Sequence, residues 1–142
     1  MTRESAAPPD QADRDRALQV NESFIVQAPA GSGKTSLLVA RYLRLLAQVA
    51  QPEEILAITF TRAAAAEMKQ RVLLELQKDT SSTEAIRDKD RSLNWHLSQN
   101  PQRMKIQTID SFATEIATQV PGSQSAEGMR IEEQPDPLYL QA

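Results

Sequence analysis

Between an apolar run and a helical pattern, the chain reads Ala28-Pro29-Ala30-Gly31-Ser32-Gly33-Lys34-Thr35. The apolar run is Phe24-Ile25-Val26, and the helical pattern starts near Lys34. The order of strand, glycine-rich turn and helix is typical of a phosphate-binding loop, or Walker A sequence. In such a loop, backbone N–H groups and the positive end of the helix dipole converge on a polyphosphate. Gly31 and Gly33 lack a Cβ, so the backbone can turn sharply and approach phosphate oxygens.

The side chains at the end of this segment have defined roles in the pattern G-x-x-x-x-G-K-[ST]. Lys34 is expected to reach the β- and γ-phosphates, and the Thr35 hydroxyl is expected to ligate Mg²⁺. Ala28 stands at the first position of the pattern in place of glycine, which is acceptable if its φ is negative. The plainer alternative is a turn that only joins a strand to a helix. We refer to residues 28–35 as the phosphate loop.

Composition limits the kinds of protein that this chain can be. It has 142 residues, with 16 basic and 19 acidic side chains and a net charge of −3, so any nucleic-acid contact is expected to be local. The chain has no cysteine, which excludes disulfides and thiolate chemistry. The polar N-terminus does not resemble a signal peptide, and the apolar runs are too short to cross a bilayer. A soluble cytoplasmic protein without membrane contact is therefore expected.

Hydrophobic periodicity predicts an alternation of helices and strands. Because the strands alternate with helices, we expect an α/β fold with a parallel sheet and flanking helices. The polar segment 79–102 is expected to be a helical insertion that Trp95 anchors to the core. The predicted elements are a helix at Asp10–Leu18, strands at Ser23–Gln27, Ile55–Phe60 and Lys105–Ile109, and helices at Lys34–Val49, Thr61–Lys78 and from Asp110 or Ser111 to about Val120.

The chain is predicted to contain one domain with flanking segments. Residues 1–9 have the composition of a disordered lead-in, and residues 10–120 form the predicted domain. Residues 121–142 are expected to be a linker, with a short strand at Met129–Ile131, followed by the start of another subdomain. The strand at Ile55–Phe60 is almost continuously apolar, which is typical of an interior strand covered on both faces.

Ligands of open parallel sheets bind at the carboxyl ends of the strands, so the residues after each strand are candidates for function. Two junctions besides the phosphate loop carry hydroxyls, an aromatic ring and a helix N-terminus. Such an edge suits single-stranded nucleic acid, whose phosphates accept hydrogen bonds and whose bases stack on aromatic rings. The alternative is that Thr61 and Ser111 only cap helices while Phe60 and Phe112 pack in the core. The junctions are Thr59-Phe60-Thr61-Arg62 and Thr108-Ile109-Asp110-Ser111-Phe112.

Three ordered motifs resemble the N-terminal part of superfamily 1 DNA helicases of the UvrD/Rep type. Within that group the chain looks most like the branch related to RecB and AddA, the ATP-dependent exonuclease V beta-subunit-like proteins. The resemblance implies a partial RecA-like motor domain of the P-loop NTPase fold, known as domain 1A, with ATP and Mg²⁺ as cofactors. The motifs are the phosphate loop, Ile58-Thr59-Phe60-Thr61-Arg62-Ala63-Ala64-Ala65-Ala66-Glu67-Met68, and Ile106-Gln107-Thr108-Ile109-Asp110-Ser111-Phe112.

The resemblance also implies roles for individual residues. Lys34 and Thr35 match the catalytic nucleotide and magnesium positions of helicase motif I, within a nucleotide site formed by Ala28, Pro29, Ala30, Gly31, Ser32 and Gly33. Thr59, Phe60, Thr61 and Arg62 match motif Ia, although many relatives have asparagine in place of Arg62. Thr108, Asp110, Ser111 and Phe112 match motif Ib, and in the family both motifs line the track for single-stranded DNA. The family also has an adenine-reading glutamine upstream of motif I, for which Gln11 is the nearest candidate.

Hydrolysis of ATP needs a carboxylate pair at the end of another strand and a transition-state cation. No apolar strand of this chain ends in Asp-Glu, so motifs II to VI are expected beyond Ala142 and the chain resembles an N-terminal fragment. The full protein is then expected to be an ATP-driven 3′-to-5′ DNA helicase or translocase of repair or recombination, with a partner subunit in a helicase-nuclease complex. The alternatives are a small P-loop kinase or nucleotide-binding regulator, in which Arg41, Arg44 and Arg62 contact a phosphate acceptor, and a non-catalytic remnant.

Overall fold

The computed structural model describes residues 9–120. The predicted lead-in and the elements predicted after residue 120, including the strand at Met129–Ile131, lie outside the described residues. The described chain divides into two units, one that ends at Thr108 and one that begins at Ile109. The helices are α1 (Gln11–Ala17), α2 (Lys34–Leu46), α3 (Arg62–Leu76), α4 (Ser81–Ser92) and α5 (Ile109–Gln119), the strands are β1 (Leu56–Thr59) and β2 (Lys105–Thr108), and short 3₁₀ turns span Pro52–Glu54 and Pro101–Arg103.

The two strands form a parallel sheet, as the sequence predicts. Leu56 pairs with Lys105 at one end of the register and Thr59 pairs with Thr108 at the other. Ile106 lies in the core on the face that α3 covers. Alternation along β1 turns Leu56 and Ile58 to the other face, where they remain 44% and 48% exposed. The prediction that this strand is covered on both faces is therefore wrong for the described residues, because their helical layer covers one face only.

The strand predicted at Ser23–Gln27 does not form. The structure shows this segment as irregular chain without ladder pairing, and Ile25 is 94% exposed. The apolar and β-branched residues of the segment give it a high strand propensity, but a strand also needs a neighbour with which to exchange hydrogen bonds. Within residues 9–120, ladder pairing joins only β1 and β2.

The core of the first unit lies between α2, α3 and the sheet. The Thr61 side chain caps α3, since its Oγ1 accepts a hydrogen bond from the Ala64 N–H at 3.1 Å. In the second unit, α5 begins directly at Ile109, so Asp110 and Ser111 lie inside its first turn and the predicted cap at one of them is wrong. The core side chains are Val39, Tyr42, Leu46, Ile55, Ala65, Met68, Val72, Leu76, Ile86, Trp95, Leu97, Met104 and Ile106.

The predicted insertion consists of α4 and a loop that Trp95 anchors, as expected. The indole is fully buried, and its Nε1–H donates to the Ala50 carbonyl at 3.2 Å. Lys89 lies over the indole with its Nζ 5.6 Å from the ring centroid and donates to the carbonyl of Val49 at 2.5 Å. These contacts hold the insertion against the segment that follows α2. Lys89 also donates to the carbonyl of Ala47, the C-cap residue of α2, at 2.9 Å, where the helix dipole favours a cation.

Arg103 ties the segment that follows α2 to the segment that precedes β2. Arg103, just before β2, donates to Glu53 at 2.7 Å and to Gln51 at 2.8 Å, just before β1. The segment after α2 is therefore fixed beside the amino ends of both strands.

Candidate nucleotide and nucleic-acid sites

The phosphate loop has the backbone shape that anion binding requires. Gly31 and Gly33 adopt φ values of +78° and +85°, in the left-handed region that residues with a Cβ rarely enter. Gly33 is also the N-cap residue of α2, and no side chain caps that helix. The first N–H groups of α2 have no intrahelical partner, so they can meet an anion in front of the helix.

Lys34 lies across the mouth of the loop and not in the core. Its Nζ donates to the Ala28 carbonyl and, at 3.2 Å, to the Pro29 carbonyl. The ammonium is therefore held beside the loop by neutral acceptors, which phosphate oxygens can replace with stronger charge-assisted bonds. Thr35 is exposed in the first turn of α2, and the Ser32 Oγ is buried without a hydrogen-bond partner.

A cavity of about 530 Å³ opens beside the phosphate loop. It lies between α1, the irregular segment 23–28 and the start of α2, and its lining includes Asp10, Arg14, Ser32 and Lys34. We refer to it as the loop cavity. Its volume is within the range of small-molecule sites in proteins.

Gln11 does not line the loop cavity. Its Nε2 donates to Asp15 Oδ1 at 2.8 Å along the exposed side of α1. The assignment of Gln11 as the reader of adenine remains a prediction, and this conformation gives it no support. The acidic side chains that do line the cavity are those of Asp10, the N-cap residue of α1, and Asp13 within the helix.

Arg14 is a feature of this site that the sequence did not indicate. Its Nη2 donates to the Ser32 carbonyl at 2.6 Å, and its Nε pairs with Asp10 Oδ2 at 2.9 Å. The hydrogen bond from Arg14 lowers the pKa of the Asp10 carboxyl below its ordinary value. A Cβ at Gly33 would lie 3.3 Å from the guanidinium, so the glycine also makes room for this arginine.

Arg41 joins α2 to the chain that leads into the phosphate loop. Its guanidinium donates to the carbonyls of Ala17, Gln19 and Glu22 at 2.6, 2.8 and 2.7 Å. The same group lies 5.4 Å from the centroid of the Phe24 ring. Because its donors are engaged within the fold, Arg41 gives no support to the alternative in which it contacts a phosphate acceptor.

The carboxyl end of β1 presents Phe60 to solvent. This side chain is 96% exposed, so the alternative that it packs in the core is wrong. The capping role of Thr61 is confirmed, and the Thr59 Oγ1 donates to the Thr61 carbonyl at 3.0 Å. Arg62 is exposed at the first position of α3. The turn thus fixes the backbone and leaves the ring and the guanidinium accessible.

The residues of the third motif divide between the two units. Thr108 is buried at the end of β2 and is the register partner of Thr59, so these two junctions share one edge of the sheet. In the second unit, Asp110 is exposed, and Ser111 and Phe112 are partly exposed in the first turn of α5.

Within residues 9–120, no group of three His, Asp or Glu side chains is arranged to hold a metal ion. No helix in the same part of the chain is both long and apolar enough to span a bilayer.

Residues 10–137 match the model of the UvrD/REP helicase N-terminal domain, and the chain belongs to that family. Its relatives include bacterial proteins that are named as subunits of an ATP-dependent helicase/nuclease. Those of Lactobacillus delbrueckii subsp. bulgaricus and Ligilactobacillus salivarius are 41% and 37% identical over 116 and 98 residues, or 76% and 69% of this chain. The relative from Moorella thermoacetica is 39% identical over 110 residues, or 73% of the chain. The matches cover only 7% to 9% of the length of these relatives.

Proposed function

We propose that this chain is the nucleotide-binding N-terminal part of an ATP-dependent DNA helicase or translocase. The observation that carries the proposal is the phosphate loop, with its two left-handed glycines, an uncapped helix behind it and Lys34 across its mouth. Membership of the UvrD/REP helicase N-terminal family supports the same conclusion. The proposed fold is the P-loop NTPase fold, of which these residues supply part of the first, RecA-like motor domain.

In this proposal the triphosphate of ATP lies against the N–H groups of the phosphate loop. Lys34 leaves the carbonyls of Ala28 and Pro29 and binds the β- and γ-phosphates. The exposed Thr35 hydroxyl would help to hold Mg²⁺, because it is the kind of hard oxygen ligand that this ion prefers. The rest of the nucleotide occupies the loop cavity.

Single-stranded DNA is proposed to lie along the carboxyl edge of the sheet. The exposed Phe60 ring offers a surface on which a base can stack, and Arg62 can contact a phosphate. Thr59 and Thr61 hold the turn that presents the ring. Thr108 at the neighbouring strand end is proposed to belong to the same track. In the second unit, Asp110, Ser111 and Phe112 are proposed to contact DNA because of their resemblance to motif Ib.

The activity of the whole protein is proposed from its relatives, since this chain spans less than a tenth of their length. These relatives are named ATP-dependent helicase/nuclease subunits, so we propose a DNA helicase that works with a partner subunit. Translocation in the 3′-to-5′ direction and a role in repair or recombination are proposed from the resemblance to UvrD/Rep helicases. Hydrolysis also needs a carboxylate that positions water and a cation for the transition state. We therefore expect the 142-residue chain itself to bind nucleotide weakly and to hydrolyse little of it.

Binding of a fluorescent ATP analogue in the presence of Mg²⁺ tests the nucleotide site. Lys34→Ala is expected to weaken binding at least about tenfold, because a charge-assisted contact to phosphate is worth roughly 1.5–3 kcal/mol. Lys69→Ala, on the surface of α3, removes the same charge and is the matched control. Equal affinity of the Lys34 and Lys69 variants would refute the proposed site.

Binding of an unpaired oligonucleotide tests the second part of the proposal. Phe60→Ala is expected to lower the affinity about five- to tenfold or more, since stacking of one base on an aromatic ring contributes roughly 1–3 kcal/mol. Leu74→Ala is the control, because Leu74 is also an exposed apolar side chain but lies near the end of α3. The proposal fails for DNA if the two variants bind equally well.

A further inference from the structure

Arg14 makes a contact with the phosphate loop that neither the family motif nor the proposed roles of Lys34 and Thr35 include. It reaches from α1 across 18 residues of sequence to the Ser32 carbonyl, with an Nη2 to oxygen distance of 2.6 Å. Its Nε is held at the same time by Asp10 Oδ2 at 2.9 Å. Two charge-assisted bonds in the plane of one guanidinium fix both its position and its orientation.

This contact determines where the next amide points. No peptide bond of the described chain is cis, and across a trans peptide the C=O and N–H groups point in opposite directions. Since the Ser32 carbonyl is turned toward the guanidinium, the Gly33 N–H points away from Arg14. That N–H donates to no acceptor within residues 9–120.

The side chains next to the Ser32–Gly33 peptide also favour a ligand at the phosphate loop. The Ser32 Oγ is buried without a hydrogen-bond partner, which is a costly state unless a ligand or solvent satisfies it. The adjacent Lys34 ammonium contacts only carbonyl oxygens of the loop. Gly33 leaves room for the arginine, since a Cβ there would lie 3.3 Å from its Nη1.

We propose that Arg14 is a positioning residue of the phosphate loop, which fixes the Ser32–Gly33 peptide so that the Gly33 N–H is ready to bind a phosphate of the nucleotide. This role rests on the proposed nucleotide site, which the contact between Arg14 and Ser32 would preorganise. Arg14 acts through the peptide and does not itself contact the phosphate. A preorganised donor needs no rearrangement when the anion arrives, so it strengthens binding.

The experiment measures the affinity of the 142-residue chain for a fluorescent ATP analogue with Mg²⁺, and for inorganic tripolyphosphate as its competitor. Arg14→Gln is expected to weaken both at least about tenfold, because a bond to a charged group is lost and the peptide is released. Arg91→Gln removes the same charge at an exposed position of α4, outside the loop cavity, and is expected to change affinity less than about threefold. Arg14→Lys keeps the charge but lacks the planar guanidinium that donates to Ser32 and Asp10 together. Its affinity is therefore expected to remain at least about threefold below that of the wild type.

The rate of amide hydrogen exchange is a measurement that the loss of a charge does not by itself change. The Gly33 amide with saturating tripolyphosphate is expected to exchange faster in Arg14→Gln than in Arg91→Gln, while the core amides of α2 are unchanged. If Arg14→Gln does not fold, Asp10→Asn replaces it, since this variant loosens the guanidinium without removing it and is expected to weaken binding by an intermediate factor.

The outcomes separate this inference from the function on which it rests. If the wild type binds nucleotide and Lys34→Ala does not, but Arg14→Gln binds as well as Arg91→Gln or Arg14→Lys restores full affinity, the positioning role is refuted and the nucleotide site stands. If the wild type and Lys34→Ala bind equally or not at all, the nucleotide site itself is refuted, and the role of Arg14 with it.

Discussion

Replacement of Trp95 by alanine tests how the polar insertion is held to the fold. The indole is fully buried, donates one hydrogen bond to the Ala50 carbonyl at 3.2 Å and lies under Lys89. Removal of a large aromatic side chain from a packed core costs about 3–5 kcal/mol, and the loss of the Nε1–H bond accounts for about 1 kcal/mol of such an effect. We therefore expect Trp95→Ala to lower the free energy of unfolding by about 3–5 kcal/mol and Trp95→Phe by about 1–2 kcal/mol.

Urea denaturation followed by circular dichroism at 222 nm measures this loss. Fluorescence cannot be used across the series, because Trp95 is the only tryptophan of the chain. Small domains have free energies of unfolding of about 5–15 kcal/mol, so the alanine variant is expected to unfold at a much lower urea concentration than the wild type. Leu93→Ala, at a more exposed side chain of the same segment, is the control and is expected to cost less than about 1 kcal/mol. If the free energy of unfolding of Trp95→Ala lies within about 1 kcal/mol of the wild-type value, the buried indole does not hold the insertion to the core.

Three smaller perturbations follow from individual contacts. Tyr42→Phe is expected to leave the free energy of unfolding unchanged or raise it by up to about 1 kcal/mol, because the buried hydroxyl has no hydrogen-bond partner; a clear loss in urea denaturation would reveal a partner. Burial raises the pKa of the Tyr42 phenol, so the folded protein favours the neutral form. The wild type is therefore expected to lose stability as the pH rises above the ordinary pKa of 10.0, whereas Tyr42→Phe is not. The hydrogen bond from Arg103 lowers the pKa of Glu53 below 4.5, so this pair stabilises the fold above that pH, and the contribution is lost as the pH falls through the lowered pKa. Thermal melting curves of Glu53→Gln should therefore show a smaller acid-dependent loss of stability than those of the wild type. An identical loss in both proteins would refute a stabilising role of the pair. Thr61→Ala removes the cap of α3 and is expected to cost about 0.5–2 kcal/mol in the same denaturation assay, whereas Thr61→Ser should retain most of the stability.

Local sequence was sufficient for the features that depend on nearest neighbours. The left-handed glycines of the phosphate loop, the helix that begins at Lys34 and the Thr61 cap were all predictable, because φ preference, helical periodicity and capping act within a few residues. The parallel pairing of β1 and β2 was also predictable from the helix between them. Family membership followed from ordered motifs, which the family match confirms.

The tertiary structure decided what depends on contacts between distant segments. The run Phe24-Ile25-Val26 has strand propensity but remains unpaired, because a ladder needs a partner that propensity does not specify. Phe60 is exposed although its residue type favours burial, since the β1 turn directs it away from the helical layer. Arg14 and Arg41 look like surface charges of amphipathic helices in the sequence, and only folding brings their guanidinium groups to carbonyls 18 to 24 residues away. These carbonyls carry no signal in the sequence, because every residue has one and only the path of the backbone sets its direction.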